Sequence, residues 1–180
     1  IVIKFHLEYI KGNLTILGKQ FIESVYRYIL IHQNGTLFLL YNEKDKVQGF
    51  LLVKPHQKFS FTNYIFNNFK STILTILKSL ISLKKIKSLL CLFKELNIKI
   101  KNLDTKEVEL IAMAVDSSLH GKGVGSNLIY FASENLKKKG LISIFVRIFK
   151  NDLKIINFYS KNSFSLIQAT NYFKVFRKKI

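Results

Sequence analysis

One stretch, residues 107–140, limits the architectures open to this chain. Val108 and Leu110 to Val115 form an apolar run of strand length, opened by Glu107 and Glu109. The turn residues Asp116, Ser117 and Ser118 stop it. Gly121, Gly123 and Gly125 then fall at every second position. Val124, Leu128, Ile129 and Phe131 recur at helical spacing as far as Lys137, Lys138 and Lys139, and Gly140 closes the helix. A helix that begins in a glycine turn presents unpaired backbone N–H groups to whatever lies in front of it. With the helix dipole, those groups make an anion site whose usual occupant is phosphate. A side chain there would hold the phosphate away from the amides, which explains the glycines. The spacing matches neither the G-x-G-x-x-G turn of dinucleotide folds nor a P-loop, since no Lys-Ser/Thr follows. Taken alone, it also describes a glycine turn opening an ordinary amphipathic helix.

Composition narrows the class. At 180 residues and 21.0 kDa, a single domain over 1–180 is expected, and 48% apolar content suffices for a core. The lone Cys91 excludes a disulfide framework and a zinc ribbon and suits a reducing, cytoplasmic setting. No signal-peptide pattern opens the chain at Ile1, and no uncharged apolar run nears the roughly 18 residues of a spanning helix. The net charge of +18 comes from 26 lysines and 3 arginines against 11 acids. Part of it reflects the Lys, Ile and Asn usage of AT-rich coding sequence. The remainder attracts polyanions: phosphorylated ligands, RNA or an anionic membrane face. Scarce arginine argues against nucleic acid, whose readers lean on bidentate guanidinium contacts. His6, His32 and His56 are scattered, and no His/Cys/carboxylate spacing indicates a metal.

In chain order, Ile1 to Phe5 reads as a first strand. Residues 14–33 read as an amphipathic helix bent at Gly18. Thr36 to Tyr41 and Val47 to Val53 read as a hairpin. Residues 64–97 carry two apolar faces half a turn apart, so two amphipathic helices are expected within an insertion over 56–106. These helices either cover the sheet or form a basic, apolar patch for an anionic membrane surface. Leu141 to Ile148 is a strand, and Asn151 and Asp152 cap a helix bearing Phe158 and Tyr159. Phe164 to Ala169 and Tyr172 to Phe176 are the last strands, with Arg177, Lys178 and Lys179 as a basic tail.

Three segments together resemble the GNAT N-acetyltransferases, which use acetyl-CoA. The turn His120-Gly121-Lys122-Gly123-Val124-Gly125 resembles the family's Gln/Arg-x-x-Gly-x-Gly/Ala signature. The run Glu109 to Val115 looks like its central strand, and Phe158 to Phe164 resembles its late F-Y-x-x-x-G-F segment. The likeness covers the second half of the chain well and extends more loosely to Leu17 to Phe21 and Val47 to Phe50. It implies the α/β (α+β) acyl-CoA N-acyltransferase fold. That fold has a mixed, mostly antiparallel sheet of six to seven strands flanked by helices, here with a helical insertion between the third and fourth.

The resemblance also implies roles. Backbone amides from His120 through Gly121, Lys122, Gly123, Val124 and Gly125 to Ser126 would hold the pyrophosphate of acetyl-CoA, with Lys122 adding charge. Met113, Ala114 and Val115 would offer backbone groups to the pantetheine arm where the central strand splays from its neighbour. Glu109 would be the general base, helped by an apolar setting. Tyr159 would be the general acid for the leaving thiolate. Asn151 and Asp152 fall where the family places an Asn near the pantetheine. Three departures stand out: His120 for Gln/Arg, Asp152 for Asn, and Ser163 for the Gly of the late segment. The expected reaction moves an acetyl group to a primary amine, with an amino-sugar or other small amine as the acceptor. The alternatives are a protein N-acetyltransferase and a catalytically weak CoA-binding module. A homodimer and peripheral membrane association are further expectations; a metal is not expected.

Overall fold

The computed structural model describes residues 1–56, 82–88, 90 and 100–180. They form two compact units, one holding residues 1–34, 82–88 and 90, the other residues 35–56 and 100–180. Most of the expected helices over 64–97 lie outside the described residues; residues 83–88 are helical.

The first unit contains α1 (Val2–Tyr9), α2 (Asn13–Leu17) and α3 (Lys19–His32). The strand expected at Ile1 to Phe5 is therefore a helix. The β-branched run at Ile1 to Ile3 suggests a strand, but the decisive contacts recur at helical spacing. Phe5 and Tyr9, one turn apart, bring their rings to 4.6 Å, and Phe5 and His6 are buried side by side. Gly18, at φ +93°, does more than bend the next helix: it separates α2 from α3. His6 ties the helices together. Its Nδ1 lies 2.6 Å from the Tyr26 hydroxyl and its Nε2 3.2 Å from Thr15 Oγ1, whose own proton goes to the Ile10 carbonyl.

The second unit is a six-stranded sheet: β1 (Thr36–Tyr41), β2 (Val47–Pro55), β3 (Glu107–Val115), β4 (Ser143–Phe149), β5 (Ser165–Ala169) and β6 (Phe173–Lys179). Their spatial order is β1-β2-β3-β4-β6-β5, and only β3 and β4 run parallel. This is the mixed, mostly antiparallel architecture expected. The supposed basic tail is strand: Arg177 to Lys179 continue β6 and pair with Ser143 to Phe145. A polar sequence persists as strand there because the partner, β4, supplies the ladder.

Two helices, α4 (Val124–Lys138) and α5 (Leu153–Lys161), cover one face. Leu128, Ile129 and Leu136 of α4 join Leu51, Leu110 and Ile144 of the sheet in the main core. Both helices end in the same way. After α4, Gly140 stands at φ +78°, and the Leu141 and Gly140 amides donate to the Leu136 and Lys137 carbonyls. After α5, the Phe164 and Ser163 amides donate to Tyr159 and Ser160, with Ser163 at φ +66°. That is why a glycine is the natural residue at position 163: serine holds a left-handed conformation there at some cost.

The other face of the sheet carries a small apolar cluster, Ile100, Phe145 and Val175, and beside it a row of charges.

Candidate active site

The site is built around β3. In its first half the side chains alternate, with Glu107 and Glu109 on the charged face and Val108 and Leu110 in the main core. Register with β2 then slips: Val53 pairs with Leu110 but Leu52 pairs with Ala112, leaving Ile111 as an extra residue. This β-bulge reverses the alternation, so Met113 and Val115 turn to the helix-covered face. Pairing with β4 stops at the same place. It spans Glu107 to Leu110 opposite Ser143 to Val146, and no partner in β4 faces Ile111 to Val115. The split between β3 and β4 that the resemblance implied thus opens at the bulge, beside Met113, Ala114 and Val115.

Beyond Val115 the chain makes a short 3-10 turn, Ser117–Leu119, capped by Asp116, whose Oδ1 accepts from the Ser118 amide. Gly121 and Gly123 follow at φ +78° and +76°. Of the turn's amides, His120 and Lys122 donate to Ser117 and Leu119 carbonyls. Those of Gly121, Gly123, Val124, Gly125 and Ser126 make no hydrogen bond among the described residues. A Cβ on Gly121 or Gly123 would meet nothing within 4 Å. The glycine turn and the first turn of α4 therefore hold five donors without a partner among the described residues, at the positive end of the helix. The residues fit a diphosphate. Gly125 is small for another reason: a Cβ there would lie 3.2 Å from Phe158 of α5 and 3.3 Å from Met113. Both side chains press against the start of α4.

His120 turns away from this cradle. Its Nε2 is 3.0 Å from the Val115 carbonyl, which can only accept, so that nitrogen carries the proton. The ring ties the turn to the end of β3. Lys122 is exposed beside the glycines. Asp152 is the N-cap of α5, its Oδ1 3.1 Å from the Ile155 amide, and Asn151 beside it is exposed. The carboxylate at position 152 thus has a structural task that an asparagine could also perform.

Tyr159 is buried in the main core, flanked edge-on by Phe158 and Phe164 at ring distances of 5.2 and 5.1 Å. Its hydroxyl makes no hydrogen bond among the described residues. Burial raises its pKa far above the ordinary phenol value, so it stays protonated at neutral pH.

Glu109 does not sit in the apolar setting expected from sequence. Its two oxygens are shared between two cations, Lys54 Nζ at 3.2 Å from Oε2 and Arg147 at 3.3 Å from Oε1. Lys54 and Glu109 are 3% and 5% exposed, so this is a buried ion cluster spanning β2, β3 and β4. Next to it Arg177 approaches Glu107 at 3.4 Å. His56 extends the β2 ladder through its amide to the Glu107 carbonyl, and its ring meets Phe145 edge-on at 5.5 Å. Burial, then Lys54, lower the His56 pKa, with the opposing pull of Glu109 weaker, so the imidazole is neutral at pH 7. Glu109 and Tyr159 therefore belong to opposite faces of the sheet, and the split above Leu110 is the gap between those faces. Lys54, Arg147 and His56 escaped the sequence reading because nothing local marks them; only the strand register brings them to Glu109. Among the described residues no group of three or more His, Cys, Asp or Glu could hold a metal.

Comparison with known proteins agrees with this geometry. The model of the acetyltransferase (GNAT) family matches residues 13–164. No curated protein sequence matches the chain closely. Among solved structures, Gcn5 from Tetrahymena is similar over 99% of this chain and 86% of its own, at 10% identity and TM-score 0.56. The PaiA N-acetyltransferase of Thermoplasma acidophilum, solved with coenzyme A, is similar over 90% and 71% at 13% identity and TM-score 0.53. A streptothricin acetyltransferase homologue from Bacillus anthracis, solved with acetyl coenzyme A, is similar over 86% and 68% at 13% identity and TM-score 0.51.

Proposed function

The chain belongs to the GNAT acetyltransferase family and is an acetyl-CoA-dependent acyltransferase, and on that premise we propose that it acetylates a small primary amine, with Glu109 as base and Tyr159 as acid. The observation that carries this reading is the set of unspent amides at Gly121 and Gly123 to Ser126, standing beside the open split of β3. When bound, acetyl-CoA supplies an activated acetyl thioester. The α4 amides and Lys122 hold its diphosphate, and the backbone of Met113 to Val115 orients its arm as a neighbouring strand would. Glu109 receives the proton of the acceptor's ammonium group. Tyr159, kept protonated by burial, donates to the departing thiolate. The basic surface favours an acceptor that carries an anionic group, such as a phosphorylated amino-sugar, over a polycation.

Gly123→Asp and Gly123→Asn test the cradle. Asparagine tolerates the left-handed backbone and fits the open space; aspartate differs only in charge. Like charges brought together cost several kcal/mol, so acetyl-CoA should bind at least tenfold more weakly to the aspartate variant in calorimetry. Parental affinity in both variants would remove the diphosphate from this turn. Tyr159→Phe, which keeps the ring packing, should retain acetyl-CoA affinity and lose about 10²-fold in thiol release over a panel of amines. Undiminished release would strip Tyr159 of its role.

One observation favours a second reading, a CoA-binding module with weak turnover: the two cations that already claim both oxygens of Glu109. Tight acetyl-CoA binding without thiol release from any amine would establish it.

A further inference from the structure

The second unit has two unlike ends. At one end lie the glycine turn, the β1–β2 turn and the start of α5, and there acids accompany the lysines: Glu43, Asp45, Asp116 and Asp152. At the other end β3 and β4 begin, β6 finishes and α4 runs out. The Ile142 amide donates to the Lys106 carbonyl, the Ile180 amide to the Ile142 carbonyl, and Ser143 pairs with Lys179, so these termini are in contact. Lys106, Lys137, Lys138, Lys139 and Lys179 are all exposed there, around Ile142, itself 43% exposed. Two acids stand against these lysines among the described residues: Asp104, whose carboxylate is spent on the amide of Lys106, and the half-buried Glu134 on the outer side of α4. Up the outer side of α4 from its lysines stand Tyr130 and Phe131, 65% and 56% exposed.

We propose that this lysine-ringed end, with the outer side of α4, docks on the surface of an anionic lipid bilayer. The cations are lysines, which act as point charges toward lipid headgroups. The three arginines, which could fork onto a nucleic-acid phosphate, are engaged in ion pairs with Glu23, Glu109 and Glu107. Ile142, Tyr130 and Phe131 give apolar and aromatic tips among the charges, the composition of an interfacial contact and not of a fully solvated one. No helix among the described residues is long and apolar enough to cross a membrane, and the contact proposed is one at the surface. The glycine turn stands at the opposite end of α4, about 22 Å away for a helix of 15 residues. Docking therefore leaves the diphosphate cradle facing the aqueous side.

The test is flotation of the full chain with phosphatidylcholine vesicles, with and without phosphatidylglycerol. Binding should require phosphatidylglycerol and weaken as salt rises. A lysine near an anionic surface contributes roughly fivefold in affinity, so the triple variant Lys137→Gln, Lys138→Gln, Lys139→Gln should bind roughly a hundredfold more weakly. Those side chains are exposed, and unchanged acetyl-CoA affinity would show the variant folded. Tyr130→Ser with Ile142→Ser should weaken the binding that survives high salt. The proposal is overturned if both vesicle types bind equally, if neither binds, or if the triple variant binds phosphatidylglycerol vesicles like the parent. Tighter, lysine-dependent binding to duplex RNA than to the vesicles would also overturn it.

Discussion

Glu109→Gln will lose both stability and turnover, and the two losses will have separate causes. The amide that replaces the carboxylate withdraws the anion that buried Lys54 and half-buried Arg147 share. Removing one partner of a buried pair typically costs 3–5 kcal/mol, because the remaining charge has left water and gained nothing in return. Here two cations share one carboxylate, so the upper part of that range is expected from urea titration. Turnover should fall by about 10²- to 10⁴-fold, the usual contribution of a positioned base, with acetyl-CoA affinity retained. Lys54→Met separates the effects. It removes one cation, keeps a long apolar stem in the buried space and leaves Glu109 with Arg147 alone. In that background Glu109→Gln strands one cation instead of two, so its stability cost should shrink while its loss of turnover stays the same. If Glu109→Gln proves unstable yet releases thiol at the parental rate, Glu109 is a strut of the sheet and the base lies elsewhere.

Acid will weaken the protein through a buried histidine in the other unit. His6 is 2% exposed, and burial holds its pKa down at about 4 against an ordinary 6.5. A depressed histidine is a neutral histidine in the fold, so the unfolded chain binds the proton more readily. The contribution of His6 is complete above pH 6.5 and is lost as pH falls toward 4. The difference amounts to about 3 kcal/mol. Protonation would also disturb its bond with Tyr26: Thr15 gives its own proton to Ile10 and accepts from Nε2, so Nδ1 is the acceptor that a protonated ring no longer has. Urea melts followed by circular dichroism between pH 7.5 and 4 should show this fall. In His6→Gln the dependence over that window should flatten, leaving the shares owed to His56 and to carboxylates. An equally steep dependence in the variant would clear His6 of the effect.

Elements whose evidence is local were legible in the sequence. The hairpin of β1 and β2, the run of β3, the glycine turn and α4 all carry their own periodicity and stop signals, and the structure has them within a residue or two. The helix cap at Asp152 follows from local backbone needs as well. What stayed hidden depends on contacts between distant segments. Ile1 to Phe5 has the composition of a strand, and only packing of Phe5 and His6 in the helical unit makes it α1. Arg177 to Lys179 look like a tail until β4 supplies their ladder. The apolar surroundings expected for Glu109 were a guess from its sequence neighbours, whereas its spatial neighbours come from β2 and β4. The bulge at Ile111 has no signature in a run of uniformly apolar residues.

That one extra residue fixes the length of β3. Loops of this protein could gain or lose a residue at small expense, but a deletion between Leu110 and Ala112 would restore unbroken alternation through the strand. Met113 and Val115 would still face inward, but the kink at which pairing with β4 stops would be gone, and with it the opening beside their backbone groups. Insertions and deletions should accordingly be purged from these few positions far more strictly than conservative exchanges of one apolar side chain for another.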